Sequence, residues 1–227
     1  MTTKIHAGIE RMLHDIGWET SETRAWIGKT ELDPRVLEAM KQVPRHAFVP
    51  QGLADWAYDN GPLSIGRGQT ISQPFIVALM SDLLAPQPHH VVLEVGCGSG
   101  YQSAVLSRLV KQVYSLEIVP ELAQEAQDRL TRLGYGNVTV RQGDGYQGWP
   151  EHAPFDGIIV TAAAPEIPQP LLEQLKPGGR MVIPVGLPYM RQDLLLVEKN
   201  RDGAVTTRNI LPVAFVPLTG DHGAADE

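Results

Sequence analysis

Cysteine is nearly absent. Cys97 is the only one in 227 residues, so an internal disulfide is excluded and a reducing, cytoplasmic setting is expected. Long hydrophobic runs are absent too. No apolar stretch approaches the roughly 18 residues that a membrane span requires. The opening MTTKIHAGIERMLHD alternates charged and apolar groups and has no apolar core or cleavage site of a secretory signal. A block of Lys and Arg is also missing. With a net charge of −7 and no basic stripe, a nucleic-acid partner is disfavoured, and no membrane partner is expected. His89-His90 has no metal-ligand spacing around it, so no metal is expected. What remains is the composition of an ordinary globular chain, 43% hydrophobic and 20% charged, long enough for one large α/β domain.

Periodicity divides the chain. Ile5, Ile9, Met12, Leu13 and Ile16 share one helical face, and Gly17 is expected to end that helix. Asp33-Pro34 starts a second helix, VPRHAFVP reads as loop, and Pro74 to about Leu84 as a third helix. From residue 91 the pattern changes. VVLEV, QVYSLEI, NVTVRQGD and FDGIIVTAAA are apolar strands separated by helical YQSAVLSRL and PELAQEAQDRLTRLG. That alternation predicts a doubly wound, mostly parallel α/β sheet, preceded by N-terminal helices. The last third reads as strands around an Asp202-Gly203 turn, with FVPLT as a further strand. The tail TGDHGAADE is small and acidic, and residues 220–227 are expected to lack fixed structure.

Gly96, Gly98 and Gly100 follow the first strand of the α/β section and open a helix. Glycines let a ligand approach the backbone, and a helix start offers free N–H groups. The plain alternative is a tight turn with no ligand. Tyr101 stands where a dinucleotide fingerprint has its last glycine, so a nicotinamide cofactor is disfavoured. With Glu94, the string E-V-G-C-G-S-G resembles the S-adenosylmethionine site of class I methyltransferases. Glu117 ends the second strand, where a carboxylate can take ribose hydroxyls. Asp144, between Gly143 and Gly145, ends the third, where it can accept from an adenine amino group. Cys97, Ser99, Ile118 and Thr161 complete the expected cofactor contacts. After the fourth strand stands Thr161-Ala162-Ala163-Ala164 rather than Asn-Pro-Pro-aromatic, which disfavours an amino-group methylator of adenine or amides.

GQTISQPFIVALM, LEVGCGSGYQSAVLSRL, NVTVRQGDGYQGWP, PFDGIIVTAAAPEIPQPLLEQLKPGGRMVIPVG and VAFVPL together resemble the protein-L-isoaspartate O-methyltransferases over roughly residues 30 to 219. The resemblance implies one methyltransferase domain over 1–219, with 1–60 as a helical addition. It also implies S-adenosyl-L-methionine as cofactor, isoaspartyl proteins and peptides as partners, and a monomer. The implied reaction methylates the free α-carboxylate of L-isoaspartyl residues in damaged proteins; the ester closes to a succinimide that hydrolyses partly to aspartate. By the same resemblance Ser72 is the active-site serine, and Thr70, Ile71 and Gln73 flank cofactor and substrate. Thr219 is a weaker cofactor candidate. Ala162, Val213 and Val216 are substrate-side residues, the segment between the last two offering backbone to an extended peptide. Two departures are visible: Cys97 replaces a Thr often found there, and Val77 stands where some relatives have a His.

A carboxylate with a pKa near 4 is ionised at neutral pH, so GQTISQP needs no strong base. Ser72 is expected to orient that carboxylate, not to act as a covalent nucleophile, since no paired His or Asp is suggested. The plain alternative is a helix cap, but the residue before Pro74 avoids α geometry, so Gln73 takes the cap and Ser72 lies one step outside. Two other functions stay open on residues alone: a small-molecule carboxyl or hydroxyl methyltransferase, and a non-catalytic S-adenosylmethionine-binding module.

Overall fold

The computed structural model describes residues 2–188 and 190–220. It begins with α1 (Thr2–Glu22), which runs past Gly17. Gly17 has open space around it, so it costs only the roughly 1 kcal/mol of a helical glycine. The following turn buries Thr20, whose hydroxyl donates to the Ile16 carbonyl at 2.7 Å. Next come α2 (Arg24–Ile27) and α3 (Pro34–Gln42). Asp33 caps α3 by accepting the Arg35 N–H at 2.8 Å. VPRHAFVP is not simply loop, because Arg45–Phe48 forms a 3₁₀ turn.

A hairpin unannounced by the sequence follows, β1 (Leu63–Gly66) against β2 (Gln69–Ile71). It delivers the chain to α4 (Pro74–Leu83), with Gln73 in the cap position and Ser72 just outside. Then β3 (Val91–Val95), α5 (Tyr101–Ser107), β4 (Gln112–Glu117), α6 (Pro120–Arg132), β5 (Val138–Gln142) and β6 (Phe155–Val160) alternate. The chain continues with α7 (Gln169–Gln174), β7 (Leu175–Val185), β8 (Gln192–Lys199) and β9 (Val205–Val213).

The seven-stranded sheet has the order β5-β4-β3-β6-β7-β8-β9. Strands β5, β4, β3, β6 and β7 are parallel neighbours, while β8 and β9 are antiparallel additions. This is the doubly wound, mostly parallel sheet that the alternation of strands and helices predicts. Alternate strand residues face two cores, which is why the strands read as continuous apolar runs. Val92, Val113 and Ile159 pack with Met12, Phe48, Phe75 and Leu106; Leu93, Ile158 and Met181 pack with Phe155, Leu171 and Leu175. The chain moves from β3 outward to β5 and returns to β6 on the other side of β3. Such a reversal opens a crevice beyond the carboxyl ends of the strands.

FVPLT does not form a strand. Pro217 makes an isolated bridge to Ala163, bounded by Ala163 N–H to Val216 O and Leu218 N–H to Ala163 O, both at 2.8 Å. Proline has no N–H with which to extend a ladder. The acidic tail from residue 221 lies outside the described residues.

Candidate active site

The crevice is built on the glycine loop after β3. Gly96 has φ +93, and a Cβ there would stand 2.5 Å from the Thr161 hydroxyl oxygen. That oxygen lies 2.6 Å from Gly96 O and 3.1 Å from Val95 O, tying the ends of β3 and β6 together. Gly98 (φ +53) donates its N–H to Glu117 Oε2 at 2.7 Å, and a Cβ at this position would stand 3.3 Å from Ile65 of the β1–β2 hairpin. Val119 N–H donates to Glu117 Oε1 at 3.0 Å. The Glu117 carboxylate is thus fixed by one backbone donor per oxygen, with lone pairs left for a ligand's hydroxyls.

A cleft opens over this loop, at the carboxyl ends of the strands where such folds bind ligands. Its walls include Gly96, Cys97, Gly98, Ser99, Glu117 and Ile118. Thr70, Ile71 and Ser72 close one side, and Gly143, Gly145, Thr161, Ala162 and Thr219 another. The ends of β3, β4, β5 and β6 therefore meet here, as the spacing of the sequence motifs requires.

Four residues expected at the cofactor, Glu94, Gly100, Asp144 and Gln73, do not line this cleft. Glu94 is fully buried beneath the loop, because the pleat of β3 turns it away from the cleft. Its Oε2 accepts from Ser115 at 2.5 Å and from Ser103, and burial pushes its pKa up to about 7 against those hydrogen bonds. At Gly100 (φ +86) a Cβ would stand 3.1 Å from Leu130 of α6, so the glycine serves helix packing. Asp144 caps the next turn, accepting Tyr146 N–H at 2.9 Å, and faces Gly220. Gln73 turns outward and donates its amide to Glu19 Oε1 at 2.8 Å. Cys97 lines the cleft, but burial raises its thiol pKa, which keeps it protonated and unreactive.

A second cleft of about 530 Å³ adjoins the first. Val213, Phe215, Phe75 and Gln73 line it, and Gln192 braces its wall by bonding Phe215 in both directions, at 2.6 and 3.1 Å. Four residues line both clefts: Thr70, Ser72, Thr161 and Val216. The Ser72 hydroxyl has no hydrogen-bond partner among the described residues and stands at this junction.

Sequence reasoning missed Arg45. It is 0% exposed, and no carboxylate pairs with it among the described residues. Nη2 donates to the Ser72 carbonyl and Nε to the Ala57 carbonyl, both at 2.7 Å. The guanidinium lies 4.7 Å from the centre of the Tyr101 ring, another wall of the first cleft. Burial lowers the Arg45 pKa, and the Tyr101 hydroxyl is pushed up to about 12 by its own burial. The available signal was a lone Arg among apolar residues and prolines in VPRHAFVP.

The first cleft fits S-adenosylmethionine. Glycines without side chains floor it, a carboxylate stands at the end of β4, and Leu116, Ile118 and Leu218 supply apolar walls for a flat base. Residues 27–223 match the family model described as protein-L-isoaspartate(D-aspartate) O-methyltransferase. A Syntrophobacter fumaroxidans protein named protein-L-isoaspartate O-methyltransferase 2 is 62% identical over 93% of this chain and 86% of its own length. A Polaromonas protein of the same name is 61% identical, covering 93% of this chain and all of its own. A solved structure named protein-L-isoaspartate O-methyltransferase superposes with a TM-score of 0.78 at 29% identity, over 93% of this chain and 67% of its own. Another, from Plasmodium falciparum, is described as a putative enzyme of that name in complex with S-adenosyl-L-homocysteine. It gives 0.73 at 25% identity, over 95% of this chain and 98% of its own.

Proposed function

The chain belongs to the protein-L-isoaspartate O-methyltransferase family, and we propose that its two joined clefts hold methyl donor and isoaspartyl carboxylate on either side of Ser72. The enzyme transfers a methyl group from S-adenosylmethionine to the free α-carboxylate of L-isoaspartyl residues in damaged proteins and peptides. The ester then closes to a succinimide without further enzymatic help. The observation that carries the assignment of sites is the shared wall: Thr70, Ser72, Thr161 and Val216 belong to both clefts, so a group in one can reach a group in the other.

When bound, S-adenosylmethionine supplies an electrophilic methyl on a positively charged sulfur. Glu117 would hold the ribose hydroxyls, and the loop of Gly96 to Ser99 would border the amino-acid end. The substrate carboxylate arrives ionised, so no residue has to remove a proton. Ser72 donates its hydroxyl to one carboxylate oxygen and aims the other at the methyl. Arg45 is a positioning residue: by holding the Ser72 carbonyl at 2.7 Å it fixes where that hydroxyl points. Such orientation can supply roughly 7–11 kcal/mol of the barrier. The Val213–Val216 segment lines the second cleft and receives the peptide in extended form. A single buried thiol suits work in the reducing cytoplasm.

The test is methyl transfer from labelled S-adenosylmethionine to two peptides that differ only in Asp versus isoAsp. Base-labile label on the isoAsp peptide alone is expected. Ser72→Ala should lower turnover about tenfold to a hundredfold, the cost of losing the oxygen's aim, while cofactor affinity holds. Label on free small acids alone, or on nothing despite cofactor binding, would overturn the repair reading. An equal loss of turnover and cofactor affinity in Ser72→Ala would overturn the role of the serine.

A further inference from the structure

The family match begins at residue 27, yet the substrate cleft has a wall that precedes it. Glu19 and Thr23, at the C-terminal end of α1 and just beyond it, line the second cleft. Glu19 is half-buried, and it is the one ionisable side chain among the described residues lining that cleft. Its Oε1 accepts from Asn60 Nδ2 at 2.6 Å and from Gln73 Nε2 at 2.8 Å. Oε2 has no hydrogen-bond partner, and no Lys or Arg pairs with Glu19, among the described residues.

This charge needs a reason. The two amide bonds go to one oxygen, and the single carbonyl oxygen of a glutamine could accept both. Burial works against the ionised form and raises the Glu19 pKa; the two amides and Asp15 act after it. The substrate then brings a second anion, its α-carboxylate, into the same cleft. Like charges in one partly dehydrated cleft repel. A neutral residue would avoid that cost, unless the substrate also brings a cation.

We propose that Glu19 is a specificity residue whose free carboxylate oxygen binds a basic side chain, Lys or Arg, flanking the isoaspartyl residue of the substrate. The inference rests on the second cleft being the peptide cleft. It makes α1 a reader of substrate charge, and it accounts for the ionisable group in an otherwise neutral lining. The enzyme then works fastest on damage sites that lie beside basic residues.

The experiment uses isoaspartyl peptides carrying Lys, Met or Glu at each of the three positions on either side, with the whole chain and its Glu19→Gln variant. Glutamine keeps the acceptor for Asn60 and Gln73 and removes only the charge. At one position or more, kcat/KM should be about fivefold higher for Lys than for Met, with Glu lowest, as a partly exposed ion pair allows. Salt at 0.5 M should compress that order. Glu19→Gln should bring the Lys-to-Met ratio to about one, a change that loss of a mere strut would not cause, since it would slow all peptides alike. Equal rates for all flanking residues, or a ratio unchanged in Glu19→Gln, would overturn the proposal and leave the repair function standing. Failure to methylate any isoaspartyl peptide while cofactor still binds would sink both.

Discussion

Replacing Gly96 by Ala should cripple cofactor binding, and the structure says by which atoms. The added methyl would stand 2.5 Å from Thr161 Oγ1, well inside van der Waals contact. That oxygen has little room to retreat, because it is held 2.6 Å from Gly96 O while the Thr161 N–H donates to Val95 O at 2.9 Å. The backbone adds a second cost, since φ +93 is unfavourable for alanine by roughly 1–2 kcal/mol. Overpacking typically costs a further 1–3 kcal/mol. The strain falls on the loop whose Gly98 N–H holds Glu117, so affinity for S-adenosylhomocysteine should drop more than tenfold by titration calorimetry. Thr161→Ala removes the offending oxygen and leaves other Thr161 atoms no nearer than 3.7 Å. The double variant should therefore recover the steric part but not the dihedral part, giving a coupling of about 1–2 kcal/mol. Wild-type affinity in Gly96→Ala, or strict additivity of the two changes, would refute this reasoning.

Two further outcomes follow from buried ionisable groups. Arg45→Lys should lower kcat/KM for an isoaspartyl peptide by tenfold or more, because one ammonium cannot span the Ser72 and Ala57 carbonyls as the guanidinium fork does; steady-state kinetics at wild-type level would count against the positioning role. Glu94, with a folded pKa of about 7 against 4.5 for the free group, binds more protons in the folded state between those values. Its contribution to stability therefore falls as pH rises from about 4.5 to about 7, by on the order of 3 kcal/mol. Urea unfolding of wild type and Glu94→Gln across that range should show the variant gaining relative stability as pH rises, and parallel profiles would reject the assignment.

The parallel strands were legible because both of their faces are buried: VVLEV forms β3 residue for residue. The glycine loop, Glu117 and Thr161 were legible for a related reason, as strand ends in this topology must meet at one crevice. Side-chain direction was not. Glu94 is adjacent to the loop in sequence, yet one step of the pleat sends it below the floor. The β1–β2 hairpin escaped notice because its strands are short, although Gly66 and Gly68, with φ +90 and +73, were turn signals in plain view. Contacts across long separations were the least legible. Arg45 meets Ser72 across 27 residues, and Glu19 meets Gln73 across 54. No local pattern announces such pairs, because tertiary packing alone decides them.

The distribution of charge around Ser72 agrees with the reaction better than a stronger site would. A cationic sulfonium and an anionic carboxylate combine to give a neutral thioether and a neutral ester, so charge disappears on the way to the transition state. An interaction that holds the full carboxylate charge most tightly stabilises the reactants more than the transition state, and slows the step. An arginine bonded directly to the carboxylate would do that. Here the guanidinium is buried behind Ser72 and spends two of its donors on carbonyls, leaving the neutral Ser72 hydroxyl at the junction of the two clefts. Apolar walls such as Ile71, Val216 and Phe75 keep water from solvating the ions, which favours a reaction that consumes them. In the role proposed for it, Ser72 would suit the reaction because its hold is weak: it would aim an oxygen without holding it back.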